Sequence, residues 1–326
     1  MHDFSVLVLN GAQPSSVSLT LDILSTAAEL ASRQRLFVPR WRVLTTQAGP
    51  VSLSHGLTLE GATLDAPTLG DNSLWIVPGL GLSDSMSIHE RLVQPDAMKA
   101  AEAIRTHVAN GGKVAASCSS VFLLQTAGVL AGRAATTSWW LAHQLQQRQP
   151  DCRVDASRMV IADGQIITGG AALAQTDLML YLLRAQIAPK IADDVRRALL
   201  LDQRQSQASY IAPAWLAHGN TWIAELVRYI EAALPNPPSV AQLALHFAMS
   251  ERTLNRRVKQ AIGQAPSALI QRVRLQRARS MLEHSRLGLD AIAHAVGYSD
   301  ASSLRRLLQQ TTGSNPSHFR QGTPRA

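Results

Sequence analysis

The last third of this chain states one residue pattern twice, and a pattern repeated at fixed register folds as two copies of one unit. The first copy runs Leu243-Ala244, Met249-Ser250, Leu254, Arg256, Gly263, Pro266; the second runs Ile292-Ala293, Tyr298-Ser299, Leu304, Arg306, Gly313, Pro316. The copies stand 49 residues apart before the central turn and 50 apart after it, so the second turn carries one inserted residue.

Each copy reads as a helix-turn-helix. Val240, Leu243, Ala244 and Phe247 recur at i, i+3, i+4, i+7, which lays an apolar stripe along a short helix, and Ser239 after Pro237-Pro238 is a suitable N-cap. Ser250 caps the next helix, Gly263 ends it, and Pro266 opens a third at its first turn, where an N–H has no helical partner to lose. The second copy repeats this punctuation with Ser299 or Asp300, Gly313 and Pro316. A helix from Pro266 to about Glu283 would be roughly 25 Å long. It can serve as a strut that presents both reading helices to successive major grooves, about 34 Å apart.

The charge distribution agrees with this reading. From residue 221 onward there are 14 Lys and Arg against 6 Asp and Glu, while the preceding 220 residues hold 17 of each. The net charge of +8 therefore lies wholly in the last third, the footprint of a nucleic-acid-binding module joined to a neutral one. A solvated basic face is the alternative from charge alone; the duplicated motif favours DNA. The 326 residues are 46% hydrophobic with mean hydropathy +0.01, enough for two cored domains. The N-terminus MHDFSVLVLNG opens on a strand rather than a leader, and no apolar run approaches the roughly 18 residues of a membrane span. A cytoplasmic protein with no membrane partner is expected. Cys118 and Cys152 predict reduced thiols rather than a disulfide framework. No metal or cofactor is expected.

Over about residues 221–322, the stretches MSERTLNRRVKQAIGQAPSALIQRVRLQRARSML and IAHAVGYSDASSLRRLLQQTTGSNPSHFR resemble the AraC/XylS family of transcription regulators. The resemblance implies an all-helical domain with two helix-turn-helix units that reads double-stranded promoter DNA. Residue by residue it offers Arg252, Asn255 and Arg256 of the first unit, and Ala301, Ser302, Arg305 and Arg306 of the second, to base edges. Arg257 and Lys259 are assigned to phosphates. Val258, Leu304 and Leu308 stand where the family usually has phenylalanine, and Gln309 where a basic residue is common. These departures leave the fold intact and predict a weaker grip by the second unit.

The first two-thirds alternate strands and helices. Strands are predicted at Ser5–Leu9, Trp41–Thr46, Ser73–Val77, Lys113–Ala116, Met159–Ala162 and Gln165–Thr168. Helices are predicted at Ser18–Ser32, Asp96–Ala109, Ser119–Ala127 and from about Ala172 to Gln186. Such alternation gives an α/β domain, a mostly parallel sheet with helices on both faces. In Lys113-Val-Ala-Ala-Ser-Cys118-Ser-Ser a strand runs into a sharp turn with Cys118 at its apex. An elbow of this kind sets a thiol at a helix N-terminus, which lowers its pKa and supplies backbone N–H groups for an oxyanion.

VPG, then GGKVAASCSSVFLLQTAGVLAGRAATTSWW, then IITGGAALAQTDLMLYLL resemble the PfpI-like, class I glutamine amidotransferase-like superfamily, and in this order the sensor domain of GlxA-type regulators. The resemblance covers roughly residues 4–204. It implies domains at 1–204 and 221–326 joined by a linker at 205–220, whose polar start Asp202-Gln-Arg204-Gln205-Ser-Gln207 resembles the family's exit from the sensor domain. The family often has histidine after the paired threonines and glycine two residues after the cysteine; here Thr136-Thr137 leads to Ser138, and Ser120 replaces the glycine. Serine is no general base near neutral pH, so the elbow reads as a retired active site, with His143 expected to face solvent. Pro78, Gly79, Cys118, Ser119, Ser138 and Trp139 are the candidate pocket residues.

Three further features have two readings each. Trp75, Trp139 and Trp140 are either packing or part of an aromatic box for a cation. Gly79 and Gly81 either offer N–H groups to an anion or make a turn. Gly169-Gly170 either lets a helix approach the pocket or shapes a loop. The expected function is a sequence-specific transcription regulator whose α/β domain either senses a small effector, such as an amine, amino acid or quaternary ammonium compound, or mediates self-association, with a homodimer through that domain expected; a regulator that has lost ligand sensing and answers only to partners is a further alternative. An amidase or amidotransferase-like hydrolase fused to a DNA-binding domain is the competing reading.

Overall fold

Five consecutive buried residues, Phe4–Val8, form strand β1, and a strand buried on both faces in this way belongs between two covering layers. Around it assemble β2 (Trp41–Thr45), β5 (Ala62–Thr63), β6 (Leu74–Val77), β7 (Val114–Ser117), β10 (Val160–Asp163) and β11 (Ile166–Gly169). The sheet order is β10-β11-β7-β6-β1-β2-β5. The edge strand β10 runs antiparallel to β11 and every other pairing in this sheet is parallel. Two small ladders flank it: β3 (Val51–Ser52) with β4 (Thr58–Leu59), and β8 (Ala134–Ala135) with β9 (Arg153–Val154). The computed structural model of the chain describes residues 2–64, 71–202, 204, 207, 221–312 and 315–319.

Helices α1 (Pro14–Arg33), α6 (Ala174–Gln186) and α7 (Pro189–Ala198) pack on one another, as do α2 (Ser85–Leu92), α3 (Pro95–Ala109) and α4 (Val121–Thr126); α5 spans Ala142–Arg148. Pro14, Pro95 and Pro189 each open a helix at its first turn, where the fixed φ of proline is already helical. That explains why α1 begins four residues before the expected Ser18. Helices α2 and α7 were not expected; Asp84 caps α2 by accepting from the Met86 and Ser87 N–H groups. Ser5, Trp41, Leu74, Val114, Val160 and Ile166 all fall in strands, so the expected α/β class holds with ends shifted by one or two residues.

The chain divides into two compact units, Met1–Gln207 and Ala208–Ala326. Among the described residues the second is all helical: Thr221–Ala232, Val240–His246, Glu251–Ile262, Pro266–His284, Leu289–Ala295, Ala301–Thr312 and Pro316–Phe319. It holds two cores. Leu269, Ile270 and Val273 of the strut Pro266–His284 belong to the first, with Leu243, Leu254 and Val258; Leu275, Ala278 and Leu282 belong to the second, with Ile292, Leu304 and Leu308. Of the expected linker 205–220, all but Gln207 lies outside the described residues, as does Gly313. No helix among the described residues is long and apolar enough to cross a membrane.

Candidate functional site

The first helix-turn-helix is built by caps. The Ser239 hydroxyl accepts from the Gln242 N–H while the Gln242 carboxamide accepts from the Ser239 N–H, at 3.2 and 2.8 Å. After a four-residue turn, 247–250, the Ser250 hydroxyl accepts from the Thr253 N–H at 3.2 Å, and Gly263, at φ 72°, closes the reading helix. Leu254, Val258 and Ile262 lie on the buried side. At 100° per residue this turns Arg252, Arg256 and Lys259 outward, with Asn255 at the edge of the same face; all four are exposed. Arg257 is exposed too, but its guanidinium lies 4.2 Å from the Trp222 ring centroid, which holds it on the flank. The Asn255 amide rests on the Glu251 carbonyl at 3.0 Å.

In the second copy the turn has five residues, 296–300, which accounts for the inserted one. Asp300, not Ser299, is the cap: its carboxylate accepts from the Ser303 N–H at 2.8 Å. Hydrogen bonds from the Ser303 backbone and hydroxyl hold the Asp300 carboxyl below the ordinary carboxylate value. Leu304 and Leu308 are buried, while Ser302, Arg305 and Arg306 are exposed and Ala301 is half-buried. Four cations of the first reading helix, Arg252, Arg256, Arg257 and Lys259, are thus answered by Ser302, Arg306, Leu307 and Gln309, with Arg305 added where the first has Asn255.

A clamp that the sequence reading missed fixes this second turn. Arg274 of the strut donates to the carbonyls of Val296 and Gly297 at 2.9 and 2.6 Å, and its guanidinium sits 3.7 Å from the Tyr298 ring centroid. Gly297 has φ 81°, and a Cβ there would overlap the Pro235 carbonyl oxygen.

In the other unit the elbow forms at the carboxyl ends of β6, β7 and β11, the side of a parallel sheet where ligands bind. Cys118 follows β7 with φ 56°, Pro78-Gly79 follows β6, and Gly170 follows β11. The spot that a Gly79 Cβ would fill is 3.1 Å from Cys118 Cβ, 3.8 Å from its Sγ and 3.4 Å from Ser16 Oγ. Ser138 donates to the sulfur at 3.1 Å, and the Ser119 hydroxyl accepts from the Leu82 N–H at 3.2 Å. Ser120 ties the turn by accepting from the Ser117 N–H and lying 2.9 Å from the Val77 carbonyl.

The expected low thiol pKa is overturned. Burial pushes Cys118 up, and the hydrogen bonds from Ser138 and Ser119 only moderate that. The helix behind it, α4, has six residues and begins through a 3-10 turn, so its dipole is small. The Cys118 N–H is engaged with the Gly170 carbonyl at 2.7 Å, which withdraws it from any oxyanion. His143 is half-buried and pairs with Gln147 on its own helix at 3.0 Å. Trp75 leaves the aromatic-box reading: it stacks on His107 at 4.4 Å and donates to Asp71, at the opposite end of β6 from Gly79. Trp139, buried beside Ser138, packs edge-on with Trp140 at 5.1 Å.

Two polar features escaped the sequence reading. Ser16 Oγ is fully buried, across Gly79 from Cys118, without a hydrogen-bond partner. Beneath the elbow, Ser117 Oγ donates to Gln175 Oε1 at 2.6 Å and Gln175 Nε2 donates to Thr20 Oγ1 at 2.7 Å. Gln175 and Thr20 are 155 residues apart, so no local signal marks them.

Comparison with known proteins follows the same division. Residues 243–322 match a helix-turn-helix domain family, and residues 40–185 match the DJ-1/PfpI family. The HTH-type transcriptional regulator GlxA of Rhizobium meliloti is 26% identical over 322 residues, covering 95% of this chain and 93% of that protein. The HTH-type transcriptional regulator CdhR of Pseudomonas aeruginosa is 25% identical over 298 residues, covering 90% and 85%. A crystal structure of an AraC family transcriptional regulator from Pseudomonas putida shares the fold, with TM-score 0.51 at 21% identity over 61% of this chain and 100% of that one. The relatives are regulators rather than hydrolases, which agrees with an elbow whose thiol is raised and whose base position is serine. The chain is an AraC-type helix-turn-helix transcription regulator whose other domain is of the DJ-1/PfpI family.

Proposed function

We propose that the regulator reads a bipartite operator, with Arg252, Asn255 and Arg256 on the base edges of one half-site and Ala301, Ser302, Arg305 and Arg306 on those of the other. The observation that carries this is the exposed stripe: the first reading helix buries Leu254, Val258 and Ile262 and the second Leu304 and Leu308, while Arg252, Asn255, Arg256, Ser302, Arg305 and Arg306 stand in solvent and Ala301 is half-buried beside them. Arginine binds guanine O6 and N7 with two bonds and asparagine does so with adenine, each worth about 1–3 kcal/mol of discrimination. Lys259 and Arg257 set register on phosphates; the stacking of Arg257 on Trp222 supports a fixed contact of this kind. Footprinting followed by titration of half-site variants tests the reading. Arg256→Ala should relax base preference at one or two positions of one half-site, and Lys259→Ala should weaken all sequences alike. Equal losses from both variants on every sequence would defeat the base-edge assignment.

The α/β unit, in this reading, binds a small polar metabolite in the cytoplasm and joins two chains. The orphan Ser16 hydroxyl, together with Ser119, Ser138 and Cys118, supports a binding role for the elbow, because a buried hydroxyl left unpaired costs about 1–3 kcal/mol unless a ligand or water meets it. Trp139, the residue after Ser138, is the aromatic group this reading assigns to the ligand, which makes amines, amino acids and quaternary ammonium compounds the first probes. A thermal-shift screen of these three classes tests it, since a ligand of the folded state raises the melting temperature by mass action. Dimerisation is supported by exposed apolar residues on this unit, Leu36, Phe37 and Val38 among them, and sedimentation of the chain at micromolar concentration decides it.

A further inference from the structure

Gln207 closes the α/β unit, and the chain that follows it leads to the helix-turn-helix units. Its side chain is only 1% exposed. The backbone N–H donates to the Ser157 carbonyl at 2.7 Å, and Oε1 accepts from the Ala171 N–H at 2.9 Å. Nε2 donates to the carbonyls of Thr137 and Arg158, both at 3.0 Å, and to Thr136 Oγ1 at 3.2 Å. A carboxamide has one acceptor group and two N–H bonds, and here all of them are engaged.

One of these partners, Thr137, also holds the elbow, and so does Gly170, the neighbour of another. Thr137 Oγ1 donates to the Cys118 carbonyl at 2.6 Å, and the Gly170 carbonyl accepts from the Cys118 N–H at 2.7 Å. Ser138, which touches the sulfur, is the residue after Thr137, and Ala171 is the residue after Gly170. The Cys118 peptide and the Gln207 carboxamide are therefore gripped by the same two segments. Gly170 itself is required by this arrangement, because a Cβ there would overlap all three heavy atoms of the carboxamide. Three residues earlier, Arg204 is fastened as well: its N–H donates to Asp177 Oδ1 at 3.0 Å and its guanidinium pairs with Oδ2 at 2.7 Å.

We propose that Gln207 is a positioning residue of the elbow pocket and the point at which the state of that pocket is passed to the chain leaving the unit. A ligand seated against Cys118 that displaces Thr137, or Gly170 together with the Ala171 N–H that follows it, removes partners of the carboxamide and frees the exit. The proposal rests on the sensing role given to the elbow. It also runs in reverse, because coupling between two sites is reciprocal: loosening Gln207 must loosen Cys118.

Reciprocity allows a test on the full-length protein without knowing the effector. The rate of alkylation by iodoacetamide is followed by mass spectrometry at Cys118, with Cys152 as internal reference. Gln207→Ala and Gly170→Ala should each speed Cys118 by about tenfold or more, the scale of one lost buried hydrogen bond, with Cys152 unchanged. The double variant Gly170→Ala/Gln207→Ala should be no faster than Gln207→Ala alone, because the added methyl enters space the carboxamide has left; a role in bulk stability would instead speed Cys152 in step with Cys118. In the other direction, converting Cys118 to its methyl disulfide with methyl methanethiosulfonate should speed tryptic cleavage after Arg204 several-fold in the wild-type chain.

Unchanged Cys118 rates in both single variants, or unchanged cleavage after labelling, overturns the proposal. If Gln207→Ala exposes both cysteines alike by unfolding, the labelling of the wild-type chain decides alone. Coupling found while no small molecule shifts the melting temperature keeps the latch and removes the sensing reading; ligand binding without coupling removes only the latch.

Discussion

Ala248 and Gly297 occupy the same place in the two central turns, at φ 51° and 81°. A left-handed backbone costs an L-residue about 1–2 kcal/mol, partly offset by the smaller entropy that alanine loses on folding. Ala248→Gly should therefore stabilise the first unit by about 0.5–1 kcal/mol, whereas Gly297→Ala should cost roughly 2 kcal/mol or more, since its methyl also meets the Pro235 carbonyl. Thermal or urea melts of the two variants check both signs. Cys118 gives a second expectation at this scale. Burial raises its folded pKa above the ordinary value of 9.0, so its alkylation should keep accelerating as pH rises beyond 9 instead of levelling near neutrality as an activated nucleophile would. Stability follows the same sign: the contribution of the buried neutral thiol is intact below its unfolded pKa and is lost as pH climbs through the folded one. A rate plateau at or below pH 7 would restore the hydrolase reading.

Helices were legible wherever their ends carried chemistry. Ser239, Ser250 and Gly263 mark boundaries by residue type, and the 49- and 50-residue offsets locate the inserted turn residue from the sequence alone. Helix α7 went unread because its signals, Pro189 at the first turn and three buried residues, are weak without the helices α1 and α6 that it packs on. The elbow was legible as a turn from Cys118 and its flanking small residues, but its partners Ser16, Gln175 and Gln207 were not: each contact spans tens of residues or more, and pairing at that separation leaves no periodicity. Arg274 belongs with them. Among the described contacts it joins the strut to the second central turn by two hydrogen bonds and a stacked ring, with bonds to a charged group worth about 1.5–3 kcal/mol together with their geometry. Arg274→Ala should lower affinity for operators with an intact second half-site and leave the footprint over the first unchanged; a uniform loss over both halves would show that the clamp serves the whole domain.

At the scale of the molecule the net charge lies entirely in the DNA-binding third, so salt should weaken binding through that part alone. Removing Lys259 should flatten the slope of log K against log salt by nearly one unit if it lies on a phosphate, a result that titration from 50 to 200 mM salt can read. The two reading units have separate cores, yet they share one strut, and the second turn abuts the Pro235 carbonyl at a residue with no side chain to yield. Such a joint behaves as a ruler. The protein can change which bases it prefers by altering one helix face at a time, but it has no means of stretching between them. One base pair inserted between the half-sites moves the second by about 3.4 Å along the axis and about a tenth of a turn around it. That single insertion should cost as much affinity as scrambling the second half-site outright, so the operators of this regulator can drift in sequence while their spacing stays fixed.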